Sequence, residues 1–442
     1  VIYSAANVVF RSTDEGNSWQ PISPDLTRND LDEKENINPD TNIAPFERCT
    51  VSRVAESPLN IGLIWAGSDD GLIHITQNGG QTWENVTPPD IPEWSLVSSI
   101  EPSSHDPATV YIAVTSYQHG DYKPYLFKTN DYGRSWTLII NGIRDIDFTR
   151  VIRHDPSRKD LLYAGTEGGV YLSLDDGETW ESLQLNLPKV PIHDMIVKDL
   201  DLVVATHGRA IWILDDLSPL HQIDKENNNQ EITLFKPRTT TRYIYPPSFY
   251  HKMANMNHKS IGMKTYLLTL GVFSTFISEE NSKGEIKRTY LDSGNNPPDG
   301  VIINFYNKNM SELVEITILD NEGKEINTYS NNNQNSNIHL VKGLNRFIWD
   351  MRYPDPSGIG GKNIDGRRLV DLFAPPGDYK VKINTGNQEF AELFTIHKDH
   401  RSTATNTDIK MQFDIMKQIW DKINDLSDGL NKILNVKYQS EN

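Results

Sequence analysis

Four segments of this 442-residue chain repeat one octapeptide, S/T-x-D-x-G-x-S/T-W. They are Ser12–Trp19, Thr76–Trp83, Thr129–Trp136 and Ser173–Trp180, and only the second departs, with Asn78 in place of Asp. The composition of the octapeptide is that of a tight hairpin turn. An Asp side chain accepts backbone N–H bonds inside such a turn, and Gly supplies a positive φ. The Ser or Thr hydroxyl adds local bonds, and the Trp ring is expected to fold back onto the hairpin. The tryptophans are 64, 53 and 44 residues apart. That spacing fits one supersecondary unit repeated with loops of unequal length.

The flanking segments repeat too. Leu63–Gly67 and Leu72–Ile75 precede the second octapeptide; Leu161–Gly165 and Val170–Leu172 precede the fourth. Leu202–Ala205 leads through Thr206-His207-Gly208-Arg209 into Ala210–Leu214. Each unit is predicted to be four short antiparallel strands, a propeller blade. Inner strands are expected near 51, 97, 149 and 190, with a partial unit starting at Val1. The last unit has Asp215-Asp216 where the octapeptide would stand. Further blades are expected upstream or in another segment, because open sheet edges invite association.

The predicted fold class is mainly β. Blades occupy 1–220, a linker and irregular β segment 221–300, and an immunoglobulin-like β-sandwich 301–400. An amphipathic helix is expected in 401–442. In that last segment Ile409, Phe413, Met416, Trp420, Ile423, Leu430 and Ile433 recur at helical spacing. Asn406 or Thr407 is the expected N-cap. The stripe packs on the sandwich or on a second helix, or else pairs as a dimerising coiled coil.

Composition excludes several function classes. The net charge is −17, with no basic stripe to meet nucleic acid or anionic lipid. No run of eighteen apolar residues is present, so no membrane-spanning helix is expected. The single Cys49 rules out an internal disulfide framework and a multi-cysteine metal site. No cofactor or metal is expected. A phosphate-binding Gly-rich loop, a His-Glu-x-x-His pair and a Gly-x-Ser-x-Gly elbow are all absent. Val1 falls inside a strand-like segment without an initiator Met, as in a piece of a longer polypeptide.

The octapeptide is the Asp box, and at these copies the chain resembles bacterial neuraminidase-repeat and sortilin-like propellers. The likeness extends through Ala66–Leu72, Lys123–Thr129, Ala164–Val170 and Ala205–Asp216, and through Gly343–Asp350 and Pro375–Tyr379 in the sandwich. These segments are similar to a group of large secreted bacterial proteins often labelled glycosyl hydrolase or sortilin-domain proteins. The resemblance implies a propeller followed by a β-sandwich and helices, in a secreted, periplasmic or cell-surface setting. Fold likeness by itself does not fix activity.

Asp14, Asp131 and Asp175 are read as structural, on the rim. The turns between the two middle strands of each blade lie at the opposite end, where propellers bind ligands. They carry Asn7; Asp69 and Asp70; His119, Asp121 and Tyr122; Glu167; and His207 and Arg209. Asp69, Asp70 and Glu167 are candidate catalytic carboxylates for acid/base work on a glycosidic bond. His119, Asp121, Tyr122, His207 and Arg209 are candidate ligand-binding residues. Turn stabilisation is the competing reading of Asp69, Glu167 and His207. The long connection Pro21–Thr50 holds Asp25, Arg28, Asp30, Asp32, Glu33 and Glu35, and is read as a solvated loop. Three functions stay open. They are a module binding a glycan, peptide or partner protein, a glycoside hydrolase, and a structural subunit of an envelope assembly.

Overall fold

A computed structural model describes residues 1–28, 49–223, 231–243, 262–267, 273–280, 286–290, 294, 297–308, 313–332, 338, 340–356 and 371–441. The acidic residues Asp30, Asp32, Glu33 and Glu35 of the long connection lie outside them. The chain is mainly β, with several antiparallel sheets and a C-terminal helix. It divides into two compact units, Val1–Leu217 and Ser218–Asn442.

The first unit is β-propeller-like. Among the described residues it contains five sheets in chain order. The first holds β1 (Ile2–Ala5), β2 (Val9–Ser12) and β3 (Gln20–Pro21); the second β4 (Val51–Glu56), β5 (Ile64–Ser68), β6 (Ile73–Thr76) and β7 (Glu84–Asn85). The third comprises β8 (Leu96–Pro102), β9 (Val110–Ser116), β10 (Asp121–Thr129) and β11 (Thr137–Leu138). The fourth is β12 (Thr149–His154), β13 (Leu162–Thr166), β14 (Val170–Ser173) and β15 (Glu181–Ser182); the fifth is β16 (Ile192–Lys198), β17 (Asp201–Thr206) and β18 (Ile211–Leu214). Strands run in sequence order, each antiparallel to its neighbour. The fifth sheet thus shows three strands where four were predicted, and the first, read as a partial unit, shows three. After β18 the chain turns back, and Asp216 and Leu217 bond through their amides to Asp201 and the Leu200 carbonyl beside β17.

Each octapeptide forms the same turn between the last two strands of its sheet. In the third copy Thr129 Oγ1 donates to Asp131 Oδ1 at 2.7 Å and accepts from Gly133 N at 3.0 Å. Asp131 then accepts from Ser135 N at 2.9 Å and Ser135 Oγ at 2.6 Å. These donors hold the Asp131 carboxyl down to about 2, the side-chain bond from Ser135 leading. In the second copy the amide keeps the turn by reversing one bond. Asn78 Oδ1 accepts from Thr82 N, while its Nδ2 donates to Thr82 Oγ1 at 2.9 Å.

The tryptophans do more than cover their own hairpins. Trp83 Nε1 donates to Ile22 O at 2.7 Å, Trp136 Nε1 to Val86 O at 2.7 Å, and Trp180 Nε1 to Ile139 O at 2.8 Å. Ile22, Val86 and Ile139 each follow the outer strand of the preceding sheet. Every bond therefore ties one sheet to the sheet before it. The octapeptide glycine must come close at the same joint. At φ +91, a Cβ on Gly177 would lie 2.7 Å from Ile139 Cδ1. Leu63, Trp65, Ile73 and Ile75 of the second sheet share a core with Val97, Ile100, Val110, Ile112 and Phe127 of the third. Tyr111 and Leu126 of the third share one with Ile152, Leu162 and Trp180 of the fourth.

In the second unit, β19 (Ile232–Leu234), β24 (Val301–Asn307) and β27 (Gly343–Trp349) form one sheet. A five-stranded sheet has the order β20 (Thr240–Arg242), β29 (Glu389–Lys398), β28 (Gly377–Asn384), β25 (Glu315–Leu319) and β26 (Glu325–Ser330), with β20 parallel to β29. The two share a core that includes Ile303, Phe305 and Trp349 from one and Ile316, Val381 and Phe394 from the other. Ile232–Leu234 and Thr240–Arg242, within the segment read as linker and irregular β, are therefore strands of this unit. A third sheet is β21 (Gly262–Leu267), β22 (Phe273–Glu280) and β23 (Ile286–Tyr290).

A short helix α1 (Ser218–Gln222) opens the unit and α2 (Asn406–Glu441) closes it. The cap of α2 is Thr405, one residue before the predicted pair. Its Oγ1 accepts from Asp408 N while Asp408 Oδ2 accepts from Thr405 N at 2.8 Å, a reciprocal box. Phe413 packs on Tyr353, and Trp420 Nε1 donates to Pro354 O at 2.8 Å. The stripe thus packs on the loop after β27, while Leu430 and Ile433 stay exposed.

The joint predicts a graded loss at Trp180, which is 3% exposed. Trp180→Phe, leaving the Ile139 carbonyl without its donor, is expected to cost about 1 kcal/mol. Trp180→Ala is expected to cost about 3–5 kcal/mol through the cavity it leaves. Urea unfolding followed by far-UV circular dichroism measures both. Equal midpoints for the two variants would refute the joint.

Candidate functional site

The inner strands share an irregularity. In β4, β8, β12 and β16 the register slips by one residue at the same place. Ser52, Ser98, Arg150 and His193 are the extra residues. A β-bulge of this kind re-aims a side chain out of the ladder. In the second and third sheets the bulged side chain is a serine that bonds back to backbone carbonyls. In the fourth and fifth sheets it is a larger side chain, Arg150 and His193.

Arg150 reaches Glu167, in the turn after β13. Its Nε and Nη2 both donate to Glu167 Oε2, at 2.9 and 2.7 Å. Its guanidinium lies 4.8 Å from the Phe148 ring centroid and 5.5 Å from that of Tyr117. Tyr117 and Phe148 stack at 5.0 Å, and Tyr122 tilts against Phe148 at 6.1 Å. In the next sheet His193 and His207 meet edge to face at 4.8 Å. Partial loss of hydration lowers the His193 pKa, and the Arg150 and His207 charges lower it further, against the pull of Glu167. Arg150, Glu167, His193 and His207 therefore feel one another across the fourth and fifth sheets. Tyr117, Tyr122 and Phe148 extend the patch onto the third. Tyr122 is 55% exposed, and both histidines are exposed.

Of the residues singled out in the sequence, Glu167, His207 and Tyr122 join this cluster. Asp70 does not share its chemistry. It is fully buried, accepts from Arg28 N at 2.7 Å, and is bonded by Ser68 Oγ. Asp69 accepts from Thr50 N at 2.8 Å, and burial raises its pKa. Both carboxylates hold the chain entering and leaving the long connection. Asp121 accepts from Tyr125 Oη at 2.7 Å and from Lys123 N, within its own hairpin. His119 bonds to the Trp94 carbonyl at 3.1 Å. Arg209 is exposed, and its carbonyl accepts from Trp212 Nε1 at 2.8 Å. Asn7 donates to Asp25 at 2.8 Å.

Arg150, His193, Tyr117 and Phe148 were not singled out in the sequence; Arg150 and His193 escaped because the search followed turns, whereas a bulge delivers its side chain from a strand. A signal was present. Ser52-Arg53, Ser98-Ser99 and His193-Asp194 are polar pairs inside otherwise apolar inner strands.

Beneath the cluster a second network ties three inner strands together. Arg153 of β12 donates to Glu101 of β8 at 3.2 Å, to Asp194 of β16 at 2.6 Å and to the Met195 carbonyl at 2.6 Å. Burial drives the Glu101 carboxyl up to about 7 in spite of Arg153.

No protein-family model matches the chain, and no curated protein matches it. Solved structures of propeller-type proteins do. An ancestral GH74 enzyme is 16% identical over 90% of this chain and 44% of its own, with a TM-score of 0.36. The GH74 xyloglucanase from Xanthomonas campestris is 10% identical over 89% of this chain and 52% of its own, TM-score 0.36. YCF48 bound to D1 peptide is 18% identical over 37% of this chain and 55% of its own, TM-score 0.29. The chain spans about half the length of these structures. At such identities their chemistry does not transfer to this chain.

The raised Glu101 pKa sets a pH test. A carboxyl that binds its proton more tightly when folded favours the folded state below its unfolded pKa, and that advantage is lost as pH rises through 7. Glu101→Gln mimics the protonated form. Relative to wild type, the variant should therefore be more stable at pH 8 than at pH 5. Thermal unfolding at the two pH values measures the difference, and an unchanged difference would refute it.

Proposed function

We propose that the β-propeller-like unit is a binding module that takes a glycan, a peptide or a segment of a partner protein on the face around Arg150, Glu167, His193 and His207. The observation that carries this reading is the repeated bulge. The same backbone device ends in back-bonded serine in two sheets, and in arginine and histidine in the two adjoining sheets where Glu167, His207 and the aromatic patch gather. Exposed Tyr122 offers a flat apolar surface with a polar tip, and the paired Arg150 is pre-oriented with aromatic support. Binding is favoured over glycoside hydrolysis, because Asp70 is sealed and Glu167 is spoken for by Arg150. The second unit is read as an immunoglobulin-like spacer or dock. Its Tyr379 Oη donates to Pro375 O four residues upstream, the corner bond of such sandwiches. The sequence resemblance supports a location outside the cytoplasm as part of this proposal.

Glycan and peptide arrays probed with the whole chain test the reading. Tyr122→Ala and His193→Ala should each weaken capture by about tenfold or more, as removal of a central contact does. Asp175→Asn, on the rim, should leave capture unchanged. Capture insensitive to both face variants, or turnover of a captured polysaccharide that Glu167→Gln abolishes, would overturn the assignment.

A further inference from the structure

Arg242 closes β20 in the second unit, in register with Lys398 of β29. It is 8% exposed, and its Nε and Nη1 are sealed from solvent without a hydrogen-bond partner. Its guanidinium rests 4.8 Å from the centroid of the Phe373 ring. The cations around it are each matched. Arg352, over the same ring at 4.2 Å, donates through Nε to Asp371 Oδ1 at 2.7 Å and lies 3.8 Å from Asp350 Oδ2. Arg401, over the Tyr243 ring, donates to Asp399 Oδ1 at 3.0 Å and Oδ2 at 2.7 Å. Lys398 Nζ donates to the carbonyls of Ser402 and Ala404. An arginine keeps its proton in a protein, so a buried guanidinium with unmade bonds is costly. The Phe373 face offsets part of that cost, but a ring contact satisfies no N–H donor. Burial lowers the Arg242 pKa and the Arg352 charge lowers it further, against Tyr379 and Asp371.

We propose that Arg242 anchors a binding site for a small organic carboxylate in the second unit. The class of ligand follows from charge, shape and access. Arg352 and Arg401 are already neutralised by aspartates, which leaves the single charge of Arg242 to be matched. A monoanion closes that balance, whereas a phosphate dianion would bring a second charge into the same buried place. The planar guanidinium presents its donors as a fork, and a carboxylate accepts them in its own plane. Phe373 lies beside the fork and gives an organic tail an apolar surface. A residue this buried is open to a small free ion, not to the face of a macromolecule. Binding satisfies the orphaned donors, and so couples the stability of the second unit to the concentration of the carboxylate. The site belongs to the second unit and stands apart from the ligand face of the first.

The test titrates the whole chain with sodium acetate, and separately with sodium phosphate, in chloride buffer at constant ionic strength. NMR follows the arginine Nε–H resonances, and Arg242→Met assigns the one that matters by its loss. That resonance should move saturably with acetate and stay in place with phosphate. Calorimetry reads the same event as stability. At about ten times its Kd, acetate should raise the melting temperature of the wild-type chain by about 3–6 °C. Arg242→Met should show no such rise, and in chloride alone it should melt no lower than wild type, because it removes an uncompensated buried charge. Should that variant fail to fold, Arg242→Lys assigns the resonance and the wild-type titration decides alone. A resonance that acetate does not move would overturn the site, as would an equal rise in the Met variant, which marks a general salt effect. Phosphate acting as strongly as acetate would overturn the carboxylate assignment.

Discussion

The bond from an indole N–H to the carbonyl at the end of the neighbouring sheet is the constraint on which the first unit depends. A propeller-like array is built from sheets each too small to bury its own faces. Something must set the distance and the angle between successive sheets, and here one octapeptide does so three times. Its Asp and hydroxyls close the turn, its positive-φ Gly lets the neighbour's backbone approach, and its Trp fills the seam and satisfies a carbonyl there. Loss of the turn would loosen the seam as well, because the Trp is aimed by the same residues. The Asn78 copy shows which part of the motif is essential. Reversing one hydrogen bond is tolerated, whereas the joint through Trp83 is kept.

Much of this fold could be read from the residues alone, because a repeated turn fixes both period and strand direction. The four octapeptides, the short strands before them and the helical spacing of Ile409, Phe413 and Trp420 all reappear as expected elements. What local pattern could not carry was long range. The Trp was assigned to its own hairpin, since nothing in an octapeptide names the residue 41 to 61 positions away that accepts its proton. The cap at Thr405 was displaced by one residue for a smaller reason. Asp408 supports Thr405 through a reciprocal pair that neither Asn406 nor Thr407 would form with it.

The candidate site was half visible for a related reason. Polar turn residues stand out between apolar strands, so Glu167, His207 and Tyr122 were found with Asp69 and Asp70. Sequence cannot separate a turn carboxylate that faces a ligand from one that clamps a loop, because the difference lies in what the fold brings opposite. Opposite Asp70 the fold brings the Arg28 amide, and opposite Glu167 it brings Arg150 from another strand. Arg150 and His193 were invisible to a reading by turns. A bulge adds one residue without altering composition; a polar pair in the strand hints at it, and the ladder register locates it.

These two devices divide the labour within each sheet. The octapeptide end is committed to holding neighbours together, and its carboxylates are saturated by their own hydroxyls and amides. A second use of those groups would have to break the joint. The bulge at the other end carries no such duty, because the ladder resumes after one residue whatever side chain is there. Serine at that point closes on the backbone and adds nothing to the surface. Arginine and histidine project to neighbouring turns, and the seam between the fourth and fifth sheets gains a charged and aromatic patch at no cost to the packing beneath. A chain of net charge −17 thus concentrates Arg150, His193 and His207 at one place without weakening the scaffold that presents them.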